Sequence, residues 1–224
     1  MTLDVMSAFG VNVHRDADQS FLVPAGQRYR GRQYWVEGDA SNASYFFAAA
    51  AVTRGRVRVE NFHPDSVQGD AGFLSILERM GCRVIRGENF AEVEGRGLQG
   101  IAADMNAMPD LVPTLAVIAA FSAGRTVMET IGHIRLKESD RIAATAAELA
   151  KMGVAVDSGP DWLKITGGGA RAAEIETYND HRMAMSFAVA GLAVPGLKVG
   201  GESCVAKSFP GFWETFESLY AIER

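Results

Sequence analysis

Pro109-Asp110-Leu111-Val112-Pro113-Thr114-Leu115-Ala116-Val117-Ile118-Ala119-Ala120-Phe121 decides the fold, because the chain uses the same plan three times. Around this stretch the pattern reads strand (101–105), aspartate, alanine-rich helix (111–121), glycine, strand (125–129). An earlier copy runs from a strand at 34–39 through Asp39 into a helix over 40–52 and a strand at 56–60. A later copy runs from 174–177 through Asp180 into 181–192 and a strand at 197–199. The three aspartates stand 71 and 70 positions apart, each where a helix N-cap belongs. Between these copies lies a second kind of segment: an amphipathic helix, a glycine, then a β-hairpin. Its helices are 3–9, 73–80 and 142–152, and the glycines, Gly10, Gly81 and Gly153, fall 71 and 72 apart, at helix C′ positions. The repeat predicts α/β (α+β) architecture from helix–strand–helix–strand–strand–strand units used about three times. Chance similarity of alanine-rich helices does not explain the matched aspartate and glycine phases. The hairpin expected at 11–23 belongs to an earlier unit, and the last helix, near 212–220, has no hairpin after it, so the chain starts and stops in mid-repeat.

With 224 residues, 48% of them hydrophobic, the chain can bury a substantial core. Its net charge of −5 argues against a general nucleic-acid binder but leaves room for a local anion site. Cys82 and Cys204 form no CxxC pair, which suits reduced thiols. The four histidines make no HxH or HExxH pattern, so no metal is expected. No signal peptide opens the chain and the apolar runs are too short to span a bilayer, so the expectation is a cytoplasmic protein without membrane contact.

The charges are concentrated at helix starts. In Arg135-Leu136-Lys137-Glu138-Ser139-Asp140-Arg141, read as the opening of a helix, Lys137 and Arg141 share a face and repel by about 0.2–0.5 kcal/mol. Each also opposes the helix dipole, by about 0.3–1 kcal/mol. Ser139 or Asp140 can cap that helix. Arg182 lies in the first turn of another helix, and Lys207 stands 70 positions after Lys137. Gln68-Gly69-Asp70 takes the same place one unit earlier. Two readings exist: solvated cations neutralised by Glu138 and Asp140, or a surface for a phosphate or carboxylate. If the units pack about a pseudo-threefold axis, the helix ends converge, and that favours the anion surface. Asp110 and Glu138 are the carboxylates available for proton transfer there. Their plainer roles are a helix cap and an ion pair with Arg141. His133 and His181 are alternative donors.

Val36-Glu37-Gly38-Asp39-Ala40-Ser41, Lys137-Glu138-Ser139-Asp140-Arg141, Tyr178-Asn179-Asp180-His181-Arg182-Met183-Ala184-Met185 and Lys207-Ser208-Phe209-Pro210 together resemble the 5-enolpyruvylshikimate-3-phosphate (EPSP) synthase family. The sister family acting on UDP-N-acetylglucosamine is a weaker match, because it lacks this pair of charged motifs. The resemblance implies a two-domain enolpyruvyl transferase with βαβαββ units about a pseudo-threefold axis in each domain. It also implies transfer of the carboxyvinyl group of phosphoenolpyruvate to the 5-hydroxyl of shikimate 3-phosphate, in aromatic amino-acid biosynthesis, with no metal or other cofactor. It assigns Asp110 and Glu138 to catalysis, Asp110, His133 and Lys137 to shikimate 3-phosphate, and Arg141, Arg182 and Lys207 to phosphoenolpyruvate. Relatives often carry Asn at the position of His133.

Members of that family are about twice this length, and the resemblance covers their C-terminal half. Residues 1–38 are then expected to be a remnant of the other domain, and 39–224 a C-terminal domain whose last unit is incomplete. Little or no turnover is expected from this chain alone. The residues at 11–37 are expected to close the third unit, within one chain or by strand swapping in a homodimer. A different class of reading is a non-catalytic anion-binding module, or a half-subunit that needs a separate N-terminal partner.

Overall fold

The computed structural model describes residues 1–17, 20–63 and 66–220. The tip of the expected first hairpin (Asp18, Gln19) and the last four residues of the expected second domain therefore lie outside the described residues. The chain divides into two compact units, Met1–Glu37 and Gly38–Arg224.

In the first unit, α1 (Thr2–Ala8) ends at Gly10, whose φ of +85° is open to glycine and strained for other residues. β1 (His14–Arg15) and β2 (Phe21–Leu22) then pair antiparallel, as a two-stranded sheet of their own. Residues 34–39, expected as a strand, form none. Trp35 and Val36 are about three-quarters exposed (76% and 74%), so burial does not hold this stretch in a ladder.

The second unit carries the repeat. Its first copy contains α2 (Ala40–Thr53), β3 (Arg56–Glu60), α3 (Phe73–Arg79), β4 (Arg83–Arg86) and β5 (Phe90–Glu94), with sheet order β3-β5-β4. Gly38 opens the copy. Its N–H donates to the Asn61 carbonyl at 2.7 Å, and a Cβ there would meet that oxygen at 2.8 Å. The middle copy is complete: β6 (Ala102–Asp104), α4 (Val112–Ala120), β7 (Arg125–Glu129), α5 (Arg141–Lys151), β8 (Ala155–Ser158) and β9 (Leu163–Thr166), in order β6-β7-β9-β8. β6 runs parallel to β7, and β9 antiparallel to it, with Met128 opposite Leu163. The third copy has β10 (Glu174–Ile175), α6 (His181–Ala193), β11 (Lys198–Val199) and α7 (Phe212–Glu217). Among the described residues β10 and β11 form a parallel pair with no third strand, so the third copy is the least complete of the three. Beside β11 lies a groove of about 540 Å³ lined by Leu197, Val199, Trp213 and Phe216 together with two carboxylates, Glu202 and Glu217.

α2, α4 and α6 are buried nearly all round and pack against one another. Alanine allows the close approach, and the Thr114 and Ser186 hydroxyls, both buried, satisfy each other at 3.0 Å across α4 and α6. Three repeat-related helices in mutual contact bring their first turns to one end, and the fold positions the site by that means.

The paired glycines provide a test. Gly81 has φ +107° and a Cβ there would meet the Gly97 carbonyl oxygen at 2.8 Å, whereas at Gly153 (φ +77°) the nearest group is the Arg171 side chain, which can move. Gly153→Ala is expected to cost about 1–2 kcal/mol from the left-handed backbone alone. Gly81→Ala should cost more, and urea unfolding of the two variants checks that ordering.

Candidate functional site

The charged residues gather at the common end of the three buried helices. The middle aspartate departs from its repeat-mates. Asp39 caps α2, accepting from the Asn42 N–H at 3.1 Å, and Asp180 caps α6, accepting from the Arg182 N–H at 2.9 Å. Asp110, expected as a cap, lies inside a short 3-10 turn (Pro109–Leu111), and α4 begins with no side-chain cap. Its carboxylate turns to three cations: Arg141 Nη1 at 2.6 Å, Arg182 Nη2 at 3.1 Å and Lys137 Nζ at 3.4 Å. Burial raises the pKa of Asp110, but Arg182, Arg141 and Lys137 outweigh it and hold the carboxyl below its usual range.

The helix expected to run from Arg135 starts later. Residues Gly132–Leu136 form a 3-10 turn, Lys137 is extended (φ −89°, ψ −152°), and α5 begins at Arg141 with Asp140 as its cap. Lys137 and Arg141 therefore do not share a helix face, and that repulsion argument falls. Lys207 likewise closes a 3-10 turn (Glu202–Lys207) and does not open a helix. Ser139 does not cap; its hydroxyl donates to Asp180 Oδ2 at 3.0 Å.

Arg141 is the organising cation. It is 1% exposed, and its guanidinium bonds Asp180 through Nε (2.8 Å) and Nη2 (3.2 Å), Asp110 through Nη1, and Glu138 through Nη2 at 2.6 Å. Its charge at a helix start is offset by three carboxylates. Arg182 is mostly buried and donates to the buried Tyr45 hydroxyl at 3.4 Å. Lys137 and Lys207 are the most open of the four cations, their side chains 35% and 61% exposed. Lys207 Nζ meets Glu138 Oε1 at 2.5 Å. That hydrogen bond, more than the neighbouring charges, brings the Glu138 pKa down to about 2.

Of the expected site residues, the structure brings together Asp110, Glu138, Lys137, Arg141, Arg182 and Lys207. His133 is exposed on the 3-10 turn and has no ion pair with the cluster among the described residues. His181 is 4% exposed, and burial together with Arg182 lowers its pKa, so it stands neutral near pH 7 and is a poor acid there. Asp180, read from sequence only as a cap, is also the main partner of Arg141. Asp70 bonds the Ser41 hydroxyl, and burial raises its pKa. The repeat phase places Asp70 beside this cluster, whereas no sequence signal marks the Tyr45 hydroxyl as a partner of Arg182. Among the described residues no group of three or more His, Cys, Asp or Glu could hold a metal ion, and no helix is long and apolar enough to cross a membrane.

Because Glu138 is depressed on folding, it adds stability above its unfolded pKa near 4.5, and that contribution is lost as pH falls toward about 2. Lys207→Met should let the Glu138 carboxyl titrate closer to 4.5. A carbon-detected NMR titration reads this directly, and an unmoved midpoint would contradict the pairing.

The cluster carries four cations against Asp110, Glu138 and Asp180. An arriving dianion finds Lys137, Lys207 and one side of Arg182 within reach, in a partly desolvated setting where charge pairs count for more than in water. The family model described as EPSP synthase (3-phosphoshikimate 1-carboxyvinyltransferase) matches residues 1–216. A 3-phosphoshikimate 1-carboxyvinyltransferase of Nostoc punctiforme is 52% identical over 217 residues, 96% of this chain and 51% of the relative. Its counterpart from Syntrophobacter fumaroxidans is 49% identical over 222 residues, 98% of this chain and 52% of the relative. The chain spans about half the length of the curated relatives it matches. Among solved structures, an EPSP synthase from Acinetobacter baumannii superposes with a TM-score of 0.82 at 31% identity, over 95% of this chain and 52% of that one. The enolpyruvyl transferase NikO from Streptomyces tendae gives 0.71 at 19% identity, over 96% and 51%, which shows the shared fold alone.

Proposed function

The chain belongs to the EPSP synthase family, and on that premise we propose that it supplies one wall of an enolpyruvyl-transfer site. One observation carries the reading: helix ends from separate repeats place Lys137, Arg182 and Lys207 beside Asp110 and Glu138. The substrates are phosphoenolpyruvate and shikimate 3-phosphate, both multiply charged anions. Lys137 contacts shikimate 3-phosphate, with His133 a lesser contact from its exposed turn. Arg182 and Lys207 hold phosphoenolpyruvate, and Arg141 joins them as ligand charge draws it partly off its carboxylates. Asp110, a carboxylate at rest, takes the proton of the 5-hydroxyl as that oxygen bonds the enol carbon. Glu138, which takes up a proton from solvent once Lys207 turns from it to the ligand, passes that proton to the methylene carbon. Phosphate then leaves the tetrahedral intermediate with the proton held by Asp110, as the new methyl group returns a proton to Glu138. Positioning and preorganised charge do most of this work.

The remaining contacts come from the part of the relatives' length that this chain does not span. Residues 1–38 belong with that other domain, 39–224 form the C-terminal domain, and the complex works in the cytoplasm. The β11 groove is where a hairpin from the other half seats, or, in its absence, one from a second copy. Co-expression with the N-terminal half of a curated relative tests this. Regained turnover supports the reading. A pair that assembles and binds both substrates but does not turn over would favour a non-catalytic anion-binding module. Turnover by this chain alone at the rate of a full-length synthase would overturn the need for a partner.

A further inference from the structure

The loop that delivers Asp180 and Arg182 to the site has an unusual backbone. Tyr178 and Asn179 both have φ of +53°, in the left-handed region that Asn tolerates and a bulky residue such as Tyr rarely adopts. Such a turn persists only where its surroundings hold it. The hold comes from Glu148, a carboxylate with 0% exposure that takes no part in the cluster described above. Its Oε1 accepts from the Tyr178 hydroxyl at 2.7 Å, its Oε2 accepts from the Glu176 N–H at 3.1 Å, and Lys151 Nζ supplies a counter-charge at 2.8 Å.

Glu148 lies seven residues after Arg141 on α5, two turns along and on the same face, about 10 Å away at 1.5 Å per residue. Arg141 grips Asp180 while Glu148 grips Glu176 and Tyr178. One helix thus holds the segment leading into α6 at two points on either side of the strained pair. We infer that Glu148 and Tyr178 are positioning residues, a second clamp that sets where α6 begins and so aims Arg182 and Asp180 at the ligand. Neither side chain has a hydrogen bond or ion pair with Lys137, Arg182 or Lys207 among the described residues, so both act through the backbone of 177–180. The inference deepens the anion-site reading and rests on it for its functional part.

Two variants test it in the chain itself. Tyr178→Phe removes one hydroxyl and leaves the ring, and Glu148→Gln keeps the shape while removing the charge. Amide hydrogen exchange is read first, without ligand. In both variants the amides of Glu176 and Arg182 should exchange about tenfold faster or more, while Val57 and Ala91 in the β3–β5 ladder stay within about twofold of wild type. Uniform acceleration across both regions, or none at Arg182, overturns the clamp. Calorimetric titration with phosphoenolpyruvate is read second, and both variants should bind about tenfold more weakly, the scale of one lost hydrogen bond to a charged group. Unchanged affinity with the exchange pattern intact would overturn the positioning role. If the wild-type chain itself fails to bind phosphoenolpyruvate, the site reading fails, and the exchange pattern still decides the clamp.

Discussion

Arg141→Met is expected to lower the unfolding free energy of this protein by about 3–5 kcal/mol, the scale for removing one member of a buried, hydrogen-bonded ion group. The size follows from what is left behind. Asp180 has 0% exposure and would lose two of its bonds, keeping the Ser139 hydroxyl and the α6 cap. Asp110 and Glu138 would lose a partner each. At about 2–4 °C per kcal/mol for a unit of this size, the melting temperature should fall by about 6–20 °C. Arg83→Ala is the control. It removes the same charge from an exposed pair with Glu94 at 3.3 Å, where about 0–1 kcal/mol is expected. Urea unfolding followed by tryptophan fluorescence compares the two. A loss at Arg141 no larger than that at Arg83 would mean the cluster is as screened as an ordinary surface pair.

The second large effect concerns chemistry. In the complex with the other half, Asp110→Asn should reduce kcat by about 10²–10⁴-fold, the range for a positioned proton acceptor. The Michaelis constant for phosphoenolpyruvate should not rise, because Asp110 competes with the ligand for Arg182 and Lys137. The same competition gives a readout that needs no turnover: the Asp110→Asn chain alone should bind phosphoenolpyruvate more tightly than wild type. Lys207→Met should do the opposite and weaken binding, since Lys207 is the most open of the four cations. A kcat within a few-fold of wild type would remove Asp110 from the proposed proton transfer.

Much of the fold was legible in the chain before any coordinates. The repeat phase placed the three buried helices and the strands that follow them. It also placed Gly10, Gly81 and Gly153, whose positive φ values fit the helix-ending role expected of them. These features are local: a glycine after a helix, an aspartate before one and an apolar run are each encoded within a few neighbouring residues. The expected strand at 34–39 failed for the complementary reason, since a strand needs a paired neighbour and a buried face, and period alone supplies neither.

What the sequence by itself determined was which residues share a repeat phase, and hence which charges could meet. Only the tertiary structure decided how they are paired. It turned Asp110 from a cap into a hub for three cations and took Lys137 off the helix. It sealed Arg141 among carboxylates while leaving Lys207 open, and it tied Tyr178 to Glu148. The reason is physical. Each of these outcomes depends on which side chains from separate copies fall within hydrogen-bond distance once α2, α4 and α6 pack together, and that geometry is written in no single stretch of the chain.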